Sequence, residues 1–251
     1  MNAALVSGTH LYRSTAPSSR SCKTLSRTHL VKAETEIRVC VNRTCNRSGS
    51  REILQVLSDL APANLTVKSC GCLGRCGAGP NIAVLPDGYI VGHCGTAARA
   101  ADLLADVCGG PGAGGFDSFK SLKALGLRKK GEAEMEKRNF TEAEALFSEA
   151  IDLKPSGGLH AVYKCRSAVR LLIGNYAGAL VDSEEALKID PQYPEAYICQ
   201  GDALLAMNDC HAAEKAYAIA LQIDPSIRRS KSFKARVAML QEKLTTANVP
   251  S

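Results

Sequence analysis

"EALKIDP" (Glu185–Pro191) is a helical run closed by a proline, and it decides the architecture of half the chain. Proline has no N–H to give to a helix and disfavours helical backbone in the residue before it, so the run ends there. The same ending recurs as "EAIDLKP" (Glu149–Pro155) and "IALQIDP" (Ile219–Pro225), with the prolines 36 and 34 residues apart. Small residues fall in register with them. Gly131, Ser167 and Gly201 share one position, Ala143, Ala179 and Ala213 a second, and Ala150, Ala186 and Ala220 a third. A period of this length, with two helices per copy that approach closely at the small positions, belongs to a stacked array in which each copy buries its neighbour's apolar face.

This pattern resembles three tetratricopeptide repeats over about residues 124–227, with larger residues at Leu127, Tyr163, Tyr197, Phe140 and Tyr176 filling the sites between. We therefore expect an all-α tetratricopeptide solenoid over 119–227, then a capping helix and tail over 228–251, the helix running from Arg228 to Leu244. The resemblance implies a concave groove for a protein partner, lined by Arg128, Glu132, Cys165, Glu195 and Cys199. One subclass grips the acidic C-terminal tails of Hsp70 and Hsp90 with a clamp of basic residues and asparagines. Here only Arg128 matches it: Glu132 and Cys165 stand at asparagine positions, Glu195 and Cys199 at basic ones. The expectation is a groove that does not take those tails. Cys165 and Cys199 share a repeat position and read as small groove-lining residues.

The segment "GGPGAGGFDS" (Gly109–Ser118) separates this array from an unlike N-terminal part and reads as a flexible linker. Before it, "TEIRVCV" (Thr35–Val41) and "NLTVKSC" (Asn64–Cys70) read as strands, and "NIAVLPDGYIVG" (Asn81–Gly92) as two strands about a Pro-Asp-Gly turn. "SREILQVLSDLA" (Ser50–Ala61) reads as a helix capped by Ser50, and "TAARAADLLADV" (Thr96–Val107) as one capped by Thr96. The order β-α-β-β-β-α, with the first two strands parallel around a crossover helix, is a thioredoxin-like α/β domain over 34–108.

Cysteine supplies the chemistry to be explained: the chain has 11. Cys40 and Cys45 (C-x4-C) follow the first strand, and Cys72 and Cys76 (C-x3-C) lie before the hairpin. Parallel strands bring both loops to one end of the sheet. Four thiolates there suit either a [2Fe–2S] cluster or tetrahedral zinc. No C-x2-C occurs, which argues against a zinc knuckle and against a thioredoxin-type dithiol. Glycines at 71, 74, 77 and 79 let backbone amides approach the sulfurs. "RVCVNRTCNRSGS" followed by "GCLGRCGAGPNIAVLPDG" resembles the thioredoxin-like [2Fe–2S] ferredoxins and the small cluster-bearing subunit of NADH dehydrogenase. The resemblance implies Cys40, Cys45, Cys72 and Cys76 as ligands of a [2Fe–2S] cluster and leaves Cys70 as a spare thiol. It implies one-electron transfer or redox sensing. The alternative is a non-redox scaffold whose small domain binds zinc or is structural. Cys94 and Cys108 read as core thiols, His93 as a satisfied residue, and Arg43, Arg47 and Arg75 as cations near the cysteines.

Residues 1–33 carry five basic residues and no acid, and "VKAE" (Val31–Glu34) resembles a chloroplast transit-peptide cleavage site, giving an expected plastid address with mitochondrion second. Without that segment the formal charge of +6 falls to about +1, and no basic stripe crosses the body, so nucleic acid is not an expected partner. "RRSKSFKAR" (Arg228–Arg236) reads as a solvated helix face. No apolar run is long enough to span a membrane. No Ser/His/Asp, paired-carboxylate or nucleotide motif points to an enzyme.

Overall fold

Residues 35–110 and 115–247 are described by a computed structural model; the expected leader, with its expected cleavage after Ala33, lies outside them. Strand β1 (Glu36–Cys40) alternates, and Ile37 and Val39 are fully buried. It lies second in a four-stranded sheet of order β2-β1-β3-β4, where β2 is Thr66–Cys70, β3 Ile82–Leu85 and β4 Tyr89–Val91. β1 runs parallel to β2, with Cys40 opposite Cys70, and antiparallel to β3. A parallel neighbour needs a crossover, and helix α2 (Ser50–Leu60) supplies it, sinking Ile53, Leu57 and Leu60 into the core. Helix α3 (Ala97–Cys108) covers the same core; Thr96 caps it by accepting from the Arg99 amide. Cys94 and Cys108 are buried in that core. The small domain is the expected thioredoxin-like sheet with its helices.

Two local expectations differ from the structure. The C-x4-C segment holds a short helix, α1 (Arg43–Arg47), whose N-cap Asn42 accepts from the Arg43 amide. Ser50 is not a cap: Gly49, with φ of 85°, takes that position, and Ser50 is buried inside the first turn. A left-handed residue is needed to turn from α1 directly into α2, and only glycine adopts it without strain.

The C-terminal part is helical throughout: α4 (Ser118–Glu136), α5 (Phe140–Asp152), α6 (Leu159–Leu172), α7 (Tyr176–Ile189), α8 (Pro194–Ala206), α9 (Cys210–Ile223) and α10 (Lys231–Ala247). Ala143, Ala150, Ala179, Ala186, Ala213 and Ala220 are all fully buried, as the register of small residues requires. Gly131 faces Phe147 so closely that an added Cβ would lie 2.6 Å from the ring, and Gly201 faces Tyr217 in the same way. In the middle repeat Ser167 takes that position and donates to the Ala179 carbonyl at 2.7 Å. Tyr176 does not fill a packing site as expected; it is 39% exposed. Pro225 opens a 3-10 turn (Pro225–Arg229), so α10 starts three residues later than expected.

The segment between the domains ends in firm anchors. Phe116 is 1% exposed and lies in the small domain's core together with Leu125 of α4. Asp117 caps α4 through the Lys120 amide, and Ser118 donates to the Ala101 carbonyl of α3 at 3.1 Å. Among the described residues no helix is long and apolar enough to cross a membrane.

Candidate functional site: a helical groove and a four-cysteine loop cluster

The groove wall is built by α4, α6, α8 and α10. Arg128 and Glu132 lie one turn apart on α4, 3.6 Å between Nε and Oε1. Cys165 on α6 is buried and donates to Glu132 Oε1 at 3.5 Å. Cys199 on α8 is buried one repeat further on. Burial pushes the Cys165 thiol up to about 11 and the Cys199 thiol up to about 12, so both stay protonated near neutral pH. They are neutral wall residues rather than nucleophiles.

Two groove cations escaped the sequence reading. Lys164 precedes Cys165 and acts on both thiols, favouring their charged forms. Arg236 on α10 acts on Cys199 and pairs with Asp202 of α8 at 2.7 Å. The pairing with Asp202 places "RRSKSFKAR" partly against the last repeat rather than wholly in solvent. Glu195 lies in the first turn of α8, where a carboxylate complements the helix dipole. Tyr193, just before it, is edge-on to His160 of α6, ring centroids 4.9 Å apart.

The expected cysteines converge at one end of the small sheet. Cys40 ends β1 and Cys45 lies on α1, both buried; Cys72 and Cys76 lie in the loop after β2, both exposed. Their Sγ atoms are 3.7 Å apart. Two thiolates on one tetrahedral ion, with metal–sulfur bonds of about 2.3 Å, would stand about 3.8 Å apart. Burial pushes the Cys40 thiol up, but hydrogen bonds from the Asn42 and Leu73 backbone and from Cys45 outweigh it, and the net shift is down. Leu73 thus ties the second loop to the first pair. Gly74 N donates to Cys72 Sγ at 3.4 Å, and Asn81 Nδ2 to Cys45 Sγ at 3.5 Å. Gly79 passes so close to Cys45 that a Cβ would lie 3.0 Å from its sulfur. Among the described residues no three His, Cys, Asp or Glu side chains gather as ligands of a single ion; the sulfurs stand as two pairs. Cys70 sits opposite Cys40 in the sheet, and burial raises its thiol first of all.

The tetratricopeptide-repeat profile matches residues 128–194 and 200–247. The helical half is a tetratricopeptide array. Similar curated proteins include an Hsp70-Hsp90 organizing protein of Triticum aestivum, 36% identical over 99 residues, which is 39% of this chain and 17% of that one. Another is heat shock protein STI1 of Saccharomyces cerevisiae, 30% identical over 122 residues, 49% of this chain and 20% of that one. The chain spans a fifth or less of the length of these relatives. Among solved structures, the first repeat domain of Spaghetti (RPAP3) bound to the HSP90 peptide SRMEEVD is 22% identical, with a TM-score of 0.45, over 49% of this chain and 94% of that one.

The curated relatives, an Hsp70-Hsp90 organizing protein among them, overturn the expectation that the groove excludes Hsp70 and Hsp90 tails. The physical reason lies in the charges. The clamp pattern sets Glu132 and Glu195 against an acidic tail and has no position for Lys164 or Arg236. In the structure Glu132 is engaged by Arg128 and Cys165, and Glu195 lies in the first turn of α8, where the helix dipole favours a carboxylate.

Proposed function

We propose that this protein is a chaperone-associated adaptor whose tetratricopeptide groove docks the acidic C-terminal tail of an Hsp70- or Hsp90-type chaperone. The observation that carries the reading is the likeness of the array to proteins that organise those chaperones; Arg128, Lys164 and the Asp202-paired Arg236 lie near the buried Cys165 and Cys199. Protonated Cys165 and Cys199 and the Tyr193 ring would form a low-polarity floor between these cations, where a peptide carboxylate meets a cation with little competition from water. The role is binding and positioning rather than bond-making. Gel filtration of the full chain with Hsp90 tests it. Co-elution that is lost when the chaperone's acidic last five residues are removed is the expected result; co-elution that survives the truncation would refute it.

The two cysteine pairs favour a second reading for the small domain. Cys40 with Cys45, and Cys72 with Cys76, would each hold one iron of a [2Fe–2S] cluster, with Gly74 N and Asn81 Nδ2 donating to the sulfurs. The cluster would supply one-electron transfer or redox sensing to the adaptor, in a plastid setting. The spacing of the second pair and the amide donors fit it. Anaerobic reconstitution should give about two irons per chain and visible absorption bleached by dithionite. Cys72→Ser and Cys76→Ser should abolish that absorption, whereas Cys70→Ser should retain it. Colourless protein carrying stoichiometric zinc would defeat this reading.

A further inference from the structure

An ion pair crosses between the two domains. Arg128 Nη2 on α4 lies 2.7 Å from Asp59 Oδ1 on α2, with the two side chains 10% and 11% exposed. Asp59 is the penultimate residue of α2, where the negative end of the helix dipole disfavours a carboxylate. It is held there by Gln55 Nε2 at 3.1 Å and by Arg128. Burial works against the Arg128 charge, and Asp59 outweighs that effect.

The surrounding contact is built closely. A Cβ on Gly157 would overlap the Leu60 carbonyl oxygen, and one on Gly158 the Asp59 carbonyl oxygen. Gly158 also has a φ of 72° where it opens α6. Leu60, Phe116 and Leu125 share one core, so the end of α2 is seated between α4 and the turn before α6. Arg128 acts electrostatically on His160 of α6 and on Tyr193 at the start of α8, which places its charge at the first-repeat end of the groove.

We propose that Asp59 is an internal competitor for the groove: the small domain presents its own carboxylate to Arg128, and an acidic peptide reaches that cation only by displacing it. This rests on the reading of the groove as an acidic-tail site and assigns its regulation to the docked small domain. Whatever loosens α2 from the array would raise tail affinity, so the state of the small domain would be transmitted to partner binding through Asp59–Arg128. The apparent affinity of the resting protein is the intrinsic one reduced by the fraction of molecules with Arg128 free.

Fluorescence anisotropy of labelled SRMEEVD with the full chain tests this. Asp59→Asn removes the competing charge with almost no change of shape. Gly157→Val disturbs the seat of α2 without touching a groove charge. Both variants should bind about tenfold tighter or more than wild type. Saturating peptide should also speed amide hydrogen exchange across Ser50–Leu60 of the unaltered protein, a measurement that needs no variant to fold. Equal affinity in all three proteins with unchanged exchange would overturn the competitor role and leave the groove reading standing. No binding by any of them would overturn both.

Discussion

Arg166 of α6 grips Asp182 of α7 with two nitrogens, Nε at 2.9 Å and Nη2 at 2.7 Å, and Asp182 is 1% exposed. Arg170, one turn on, reaches the same carboxylate at 3.0 Å and Glu144 of α5 at 2.7 Å. Charge therefore ties the first repeat to the second, and Arg166 Nη1 adds a hydrogen bond to Ser148 Oγ of α5 at 3.0 Å.

Removing Asp182 strips the half-buried Arg166 of its carboxylate and leaves Arg170 with Glu144 alone. Asp182→Ala should cost about 3–5 kcal/mol, seen as a lower urea midpoint with the slope unchanged. A loss below about 1 kcal/mol would mean that solvent already satisfies both guanidinium groups.

Gly126 of α4 should respond in the opposite direction to Gly131 of the same helix and Gly201 of α8. A mid-helix glycine replaced by alanine ordinarily gains up to about 1 kcal/mol. Gly126 has open space around its Cβ position, and Gly126→Ala should stabilise. Gly131→Ala and Gly201→Ala would press on Phe147 and Tyr217 and should destabilise by about 1–3 kcal/mol. Thermal melts of the three variants give the signs directly.

These positions also show what was legible in the sequence. The repeat prolines and small residues recur because each copy solves the same packing problem, so local pattern and tertiary contact coincide at Ala143, Ala179 and Ala213. The parallel pairing of β1 with β2 followed from the helix between them, which supplies the crossover that a parallel neighbour needs. The four cysteines could be grouped because parallel strands deliver their loops to one sheet end. Arg128–Asp59 could not be read, since its partners lie 69 residues apart in unrelated motifs. Lys164 and Arg236 were missed for a related reason: a groove gathers charge from any helix that faces it, whatever repeat position the residue occupies.

His160 gives a pH signature. Burial holds its imidazole below the usual 6.5, and its Nδ1 is buried without a protein partner. Unfolded chains take up a proton near pH 6.5 and the folded protein does not, so the unfolded state binds more protons and stability rises with pH in that range. Stability should be level above about pH 7 and fall from there toward pH 5, and His160→Gln should flatten that slope. Denaturant midpoints at pH 7.5, 6.5 and 5.5 for both proteins measure it. Parallel pH profiles would place the proton uptake elsewhere.

The central claim, that an acidic tail lies along the cations of the groove, is tested most directly by titrating SRMEEVD into the full chain by calorimetry. Binding with one peptide per chain is the predicted result, weakened about tenfold or more by Lys164→Glu, since reversing a groove charge swaps attraction for repulsion. Absence of binding, or an affinity that Lys164→Glu leaves unchanged, would contradict it.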